Sequence, residues 1–181
     1  MMCRVLYPSP LGPIALNFAN DSLTELKFQC EQSPSLSECR AQVFPAEPSL
    51  NHSFPVLDAV LSWLNRYFQG QNPDVSALPL NPRGSAFALM VWSELKQIPY
   101  GTTLSYGQLA GRIAMRCGCE RMSSQAVGQA LKKNPLLLVI PCHRIICSDG
   151  SLGGFSAGLK RKRFLLHLES VTAKKLNKSS D

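Results

Sequence analysis

No stretch of the 181 residues carries the roughly 18 uninterrupted apolar residues that a membrane-spanning helix needs. The opening segment, "MMCRVLYPSPLG", lacks the apolar core of a secretory signal. A chain that stays in the cytoplasm, or reaches the nucleus in a eukaryote, is expected. Internal repeats are absent, and so is the C-x-x-C spacing of a zinc knuckle. Charge is scarce, with 17% charged residues against 45% hydrophobic ones, which excludes a disordered chain and fits a soluble globular one. Seven cysteines, an odd number, argue for free thiols rather than a disulfide framework.

The charge that is present lies to one side. Residues 1–83 hold five Lys/Arg and seven Asp/Glu, a net of −2, and residues 84–181 hold fourteen and five, a net of +9. A basic half of this kind suits a polyanionic partner, above all nucleic acid. A solvated basic surface with a lysine-rich end, "TAKKLNKSSD", is the plainer alternative.

Periodicity places the elements. "RVLYPSPLGPIALNFANDSLTELKF" predicts strands broken at Pro-Leu-Gly-Pro and Asn-Asp, and the Pro/Ser/Glu-rich residues 31–55 predict a loop. "FPVLDAVLSWLNRYFQG" predicts a helix with Leu57, Val60, Leu61, Leu64 and Phe68 on its buried face, ended by Gly70. "QNPDVSALPLNPRG" marks the domain boundary. Beyond it, "SAFALMVWSELKQI" predicts a helix burying Phe87, Val91, Leu95 and Ile98. Ser105 and Gln108 stand at capping-box spacing, and "SSQAVGQALKKNP" predicts another serine-capped helix, burying Val127, Ala130 and Leu131. Such a helix pair suggests helix-turn-helix. "LLLVI" predicts a strand, "CSDGSLGGF" a turn and "GLKRKRFLLHLE" a closing amphipathic helix.

The chemistry gathers in "LLLVIPCHRII". Cys142 is followed by His143 and Arg144. A thiol with a pKa of about 8.5 needs a base or a cation nearby to act as a nucleophile. Adjacent residues of an extended strand point to opposite faces, so Cys142 and His143 can cooperate only where the chain turns. Asn134 is near enough upstream to hold such a turn, and Glu169 is the best carboxylate for orienting the histidine. A buried structural cysteine beside a structural histidine remains the alternative reading.

"IPCHRII" with "DGSLGGFSAGLKRKRFLLHLE" resembles the active-site region of the O6-alkylguanine-DNA alkyltransferases. The resemblance continues through "FALMVWSELKQIPYGTTLSYGQLA" and "QAVGQALKKNP", covering nearly all of residues 84–169, and "SPLGPIALNF" resembles the family's N-terminal domain more weakly. It implies an α+β protein: a small N-terminal α/β domain with an antiparallel sheet (1–83, with linker), and a mostly helical, winged-helix-like C-terminal domain (84–170) carrying the active site. Residues 171–181 are expected to form a disordered tail.

The implied activity is irreversible transfer of an alkyl group from O6 of a flipped-out guanine, and from O4-alkylthymine, to the protein's own cysteine. Cys142 would be the acceptor, His143 its base through a water, and Glu169 the group that orients His143. Asn134 would hold the turn, and Tyr106 would contact the base and help protonate the departing guanine. Phe155 and Ser156 would line the guanine pocket. Lys132 and Lys133 would meet phosphates, with Arg144 and Gln125 also on the substrate and DNA side. The implied partner is double-stranded DNA containing alkylated guanine, bound by a monomer through its minor groove, with no membrane.

The sequence departs from the family's pattern twice. Gln125 stands where an arginine usually fills the gap left by the flipped base, and Arg116 or Arg121 could take over. The loop holding "MRCGCERMSS" is longer than usual and lacks a Gly-x-Pro turn. Some relatives hold zinc in the N-terminal domain, but the spacing of Cys3, Cys30, Cys39 and His52 does not match, so no metal and no cofactor are expected. A non-catalytic lesion binder, a winged-helix regulator and a cysteine hydrolase are the competing functions.

Overall fold

A computed structural model describes residues 2–29 and 55–178. The chain divides into two compact units, Met1–Pro82 and Arg83–Asp181.

In the first unit, strands β1 (Met2–Ser9), β2 (Gly12–Ala19) and β3 (Ser22–Phe28) form an antiparallel sheet in chain order. Val5 faces Leu16, which faces Leu26, so one column of apolar residues crosses all three strands. Asn20 and Asp21 join β2 to β3 with φ of 49° and 53°, the backbone that a two-residue hairpin with the native twist requires. Their short polar side chains tolerate that backbone.

Helix α1 (Pro55–Phe68) starts on proline, whose missing N–H costs nothing at a first helical position. It buries Val56, Val60, Trp63, Leu64 and Tyr67. The predicted face is thus only partly correct, since Leu57, Leu61 and Phe68 are half-buried. Trp63 and Tyr67 win the inner position because stacked aromatics, here 5.2 Å apart, remove more apolar area from water. The loop predicted for residues 31–55, with Cys30, Cys39 and His52, lies almost wholly outside the described residues.

In the second unit, α2 (Ala86–Leu95), α3 (Tyr106–Cys117) and α4 (Ser124–Lys132) pack on one another. All three have serine caps. Ser85 accepts from the Ala88 amide and Ser123 from the Ala126 amide, while Ser105 and Gln108 form the complete capping box. Val127, Ala130 and Leu131 are the buried face of α4, as predicted. The Trp92 indole donates to the Ala130 carbonyl at 2.9 Å and ties α2 to α4. Two-residue strands β4 (Leu104–Ser105) and β5 (Ile145–Ile146) pair in parallel.

Two expectations fail here. "LLLVI" is not a strand: residues 136–140 coil into tight turns, with Val139 N–H on Leu137 O, Ile140 N–H on Leu136 O, and Leu138 at φ 70°. All five side chains are nonetheless buried. The final helix, α5 (Leu159–Lys178), runs through residues 171–178, where a disordered tail is expected from composition. Thr172 is buried, and Ala173 lies so close to Gly101 that a Cβ there would come within 2.6 Å of it. Packing on the 100–101 turn carries the helix onward.

Candidate active site

The coil at 136–140 delivers Cys142 onto a single 3-10 turn, Cys142–Arg144, rather than onto a strand end. Asn134 builds this approach. Its carbonyl oxygen accepts from the Leu136 amide at 3.0 Å, and its amide donates to Ile140 O at 2.8 Å. The same amide nitrogen donates to Cys142 Sγ at 3.2 Å. One buried side chain therefore folds the turn and holds the thiol.

Tight winding at Cys142–Arg144 removes the strand objection, because consecutive side chains no longer alternate across a sheet. His143 is fully buried, and its Nε2 lies 2.8 Å from Glu169 Oε1. Glu169, midway along α5, is equally buried and also receives Arg144 at two points. The Gly101 N–H reaches Glu169 Oε2 at 3.1 Å. Gly101 has φ +75°, and a Cβ would meet both Ala173 and the Glu169 backbone, so glycine alone lets this amide come close.

Burial works against the Glu169 charge, but hydrogen bonds from His143 and Arg144, with the Arg144 charge, outweigh it and hold the carboxyl at about 2. An ionised Glu169 accepts from His143 Nε2–H, which leaves Nδ1 as the basic nitrogen. Burial also pushes the imidazole pKa down, partly offset by Glu169, so His143 is neutral and can accept a proton. Burial pushes the Cys142 thiol up to about 11, against the Asn134 hydrogen bond and the nearby Lys162 charge. In this state Cys142 is thus a neutral thiol beside a neutral base.

A cavity of about 1220 Å³ opens from Cys142, lined also by Tyr106, Gln125, Gln129, Lys132, Phe155 and Ser156. Phe155 sits edge-on to the His143 ring at 6.3 Å. Tyr106 is half-buried, and burial followed by the two thiols Cys147 and Cys142 raises its hydroxyl pKa, so it carries its proton. Lys132 lines the cavity, whereas Lys133 is exposed at the C-cap of α4.

Arg144 does not belong to this cavity. It is 8% exposed, donates from Nη1 to Ile98 O at 2.6 Å, and lies over the Tyr100 ring at 5.5 Å. Its assignment to the DNA side is therefore corrected to a buried partner of Glu169. Arg116 is likewise committed, to Glu94 Oε1 at 2.7 Å and Ser93 Oγ at 3.0 Å. Arg121 remains exposed next to α4.

Lys162 is hidden in the sequence, because a lysine in "GLKRKR" reads as solvated surface. It is fully buried, and its ammonium donates to Ile145 O, Leu152 O and Gly154 O. That spans β5 and the loop leading to Phe155 and Ser156. Burial depresses its pKa, while the thiols of Cys142 and Cys147 pull the other way. Gln129, one turn beyond Gln125 on α4, is a second cavity residue that sequence reasoning misses. Its i, i+4 spacing from Gln125 is the signal that could have found it.

Residues 86–171 match the family profile "6-O-methylguanine DNA methyltransferase, DNA binding domain", and residues 2–82 match that family's "ribonuclease-like domain". The chain belongs to the O6-methylguanine DNA methyltransferase family. Among its relatives, a methylated-DNA–protein-cysteine methyltransferase of Haemophilus influenzae is 37% identical, over 91% of this chain and 84% of the relative. One of Metallosphaera sedula is 35% identical, over 93% of each. The crystal structure of the Mycobacterium tuberculosis O6-methylguanine methyltransferase superposes with a TM-score of 0.73 at 34% identity, over 95% of this chain and 94% of that one. The same organism's enzyme in complex with DNA superposes with a TM-score of 0.71 at 34% identity, over 92% of each chain.

Proposed function

We propose that this chain is a methylated-DNA–protein-cysteine methyltransferase that repairs O6-methylguanine in DNA, with Cys142 as the acceptor. The observation that carries the reading is one buried chain of contacts. Asn134 holds the Cys142 thiol, and Glu169 holds the adjacent His143, behind a cavity that Cys142 lines together with Lys132 at the basic helix end.

The chemistry follows from the protonation states. His143 Nδ1 takes the thiol proton through a water, and the resulting imidazolium is stabilised by ionised Glu169. The thiolate attacks the methyl carbon, the S–C bond forms and the C–O6 bond breaks. The electron pair leaves with guanine, which takes a proton from Tyr106. A thioether has no route back to a thiol under these conditions, so each molecule acts once. O4-alkylthymine offers the same alkyl–oxygen bond and is a second substrate.

A stacked base cannot reach a buried sulfur, so the guanine must be flipped out of the duplex. Phe155 and Ser156 receive it, Gln125 at the start of α4 faces the gap it leaves, and Lys132 and Lys133 meet phosphates. Intact Cys142 favours transfer over mere lesion binding. A product count tests the reading: with excess methylated duplex, one guanine should appear per protein molecule. Continued formation of unmodified guanine in the duplex beyond one per protein molecule would contradict it.

A further inference from the structure

The C-terminal end of α3, with the segment leading from it to α4, holds chemistry that the repair reaction does not use. The protein has seven cysteines and five methionines. Five of these twelve sulfurs, Met90, Met115, Cys117, Cys119 and Met122, belong to α2 and the "MRCGCERM" stretch. Met115 is 78% exposed and Cys119 is exposed, whereas such residues ordinarily favour the interior.

The backbone here is fixed. Cys119 N–H donates to Ala114 O at 2.9 Å and Gly118 N–H to Met115 O at 3.2 Å, the paired bonds of a Schellman motif with Gly118 at φ +64°. The two cysteines flank that glycine. Cys119 folds back, its Sγ 3.7 Å from the Cys117 carbonyl, and Cys117 Sγ touches Met90 Sδ at 3.2 Å. One thiol and a thioether therefore meet at this helix end, and a second, exposed thiol sits against the backbone carbonyl of the first cysteine.

We propose that Cys117, Cys119 and Met90 form a binding site for a soft monovalent cation of the Cu(I) class. Donor chemistry selects the ion. Thiolate and thioether sulfur favour Cu(I), whereas zinc sites draw on Cys, His and carboxylates. Among the described residues, no three His, Cys, Asp or Glu side chains group as such a site. On binding, two S–Cu bonds form as two thiol protons pass to solvent, and the thioether adds a third bond without a proton. No electron is transferred. Bound cation would cross-link α2 to the segment leading to Ser123 and Gln125, at the edge of the cavity.

The test uses the full chain with Cys142→Ser, which removes the site thiol and makes the result independent of methyl transfer. Cu(I) is titrated anaerobically, under a thiol-free reductant, against a chromophoric Cu(I) chelator. One tight equivalent is expected. Cys119→Ser removes an exposed side chain and so spares the core, and it should weaken binding by more than the roughly 10–100-fold typical of losing an outer-shell partner. Met90→Leu should weaken it about tenfold. Unchanged affinity in Cys119→Ser would overturn the site. Unchanged affinity in Met90→Leu would overturn the three-sulfur assignment.

Discussion

The guanidinium of Arg144 holds the Glu169 carboxylate at two points, Nε to Oε2 at 2.8 Å and Nη2 to Oε1 at 3.0 Å. This fork fixes the carboxylate that in turn receives His143, and its permanent positive charge keeps Glu169 ionised. Arginine next to the proposed Cys142–His143 pair thus acts from behind it and does not line the cavity.

Glu169→Gln should slow methyl transfer by about 10²-fold or more, because the imidazolium formed on accepting the thiol proton loses its counter-charge. Combined with His143→Ala, the two effects should be strongly non-additive in single-turnover rates. Additivity would remove Glu169 from the relay.

The same carboxylate makes stability depend on acid. Its folded pKa of about 2 lies below the ordinary 4.5, so the unfolded chain binds the extra proton and stability falls as pH drops from 4.5 towards 2. Buried neutral His143, with its lowered pKa, adds a loss that begins as pH falls through 6.5. Chemical denaturation of Glu169→Gln across the lower window should show a flatter slope than the parent.

At the alkaline end the sign reverses. Folding raises the Cys142 thiol from 9.0 to about 11, so the native state holds a proton that the unfolded chain gives up, and stability is lost as pH rises from 9 to 11. Cys142→Ala should escape a loss on the order of 2 kcal/mol over that range. It should abolish transfer while leaving duplex affinity nearly unchanged. Loss of both would assign the residue a folding role.

Much of the fold is legible in the sequence, wherever the signal is local. The capping box at Ser105 and Gln108, the buried face of α4 and the turn at Asp149-Gly150 are of this kind, and each forms where its residues predict it. The misreadings come from contacts that composition and aliphatic periodicity do not carry. "LLLVI" has the composition of a strand, but Asn134 captures its ends and bends it. Lys162 reads as a solvated lysine and Arg144 as a DNA-side cation, and their acceptors lie up to 46 residues away. Trp63 and Tyr67 outcompete the aliphatic face of α1 through mutual i, i+4 stacking, which a face chosen on aliphatic residues passes over.

Lys162→Met should be costly in two ways. Three carbonyls lose their buried donor, at about 1–3 kcal/mol for each group left unsatisfied, and the thiol loses a favourable charge. Thermal unfolding should move to lower temperature. The alkaline rise in the transfer rate should move to higher pH. A change in melting alone would confine Lys162 to a structural role.

Phosphate contacts release counterions, so duplex affinity should fall steeply with salt. Lys132→Ala should reduce the slope of log affinity against log salt by about one, and Lys133→Ala should act in the same direction. An unchanged slope in the double variant would place the DNA elsewhere.

Arg116 is engaged by Glu94, so under the proposed base flipping Gln125 and the exposed Arg121 would be left to face the vacated stack. Glutamine donates and accepts but stacks less well than a guanidinium. Gln125→Arg should therefore speed transfer in duplex more than in single strands, where no stack has to open. Equal acceleration on both would show that residue 125 does not fill the gap.

The most direct test of the whole account is mass spectrometry of the intact protein and its peptides after incubation with duplex DNA carrying O6-methylguanine. A single methyl group on the peptide containing Cys142, with unmodified guanine recovered in equal amount, is the predicted result. Demethylated DNA with an unmodified protein, or a methyl group on any other cysteine, would contradict it.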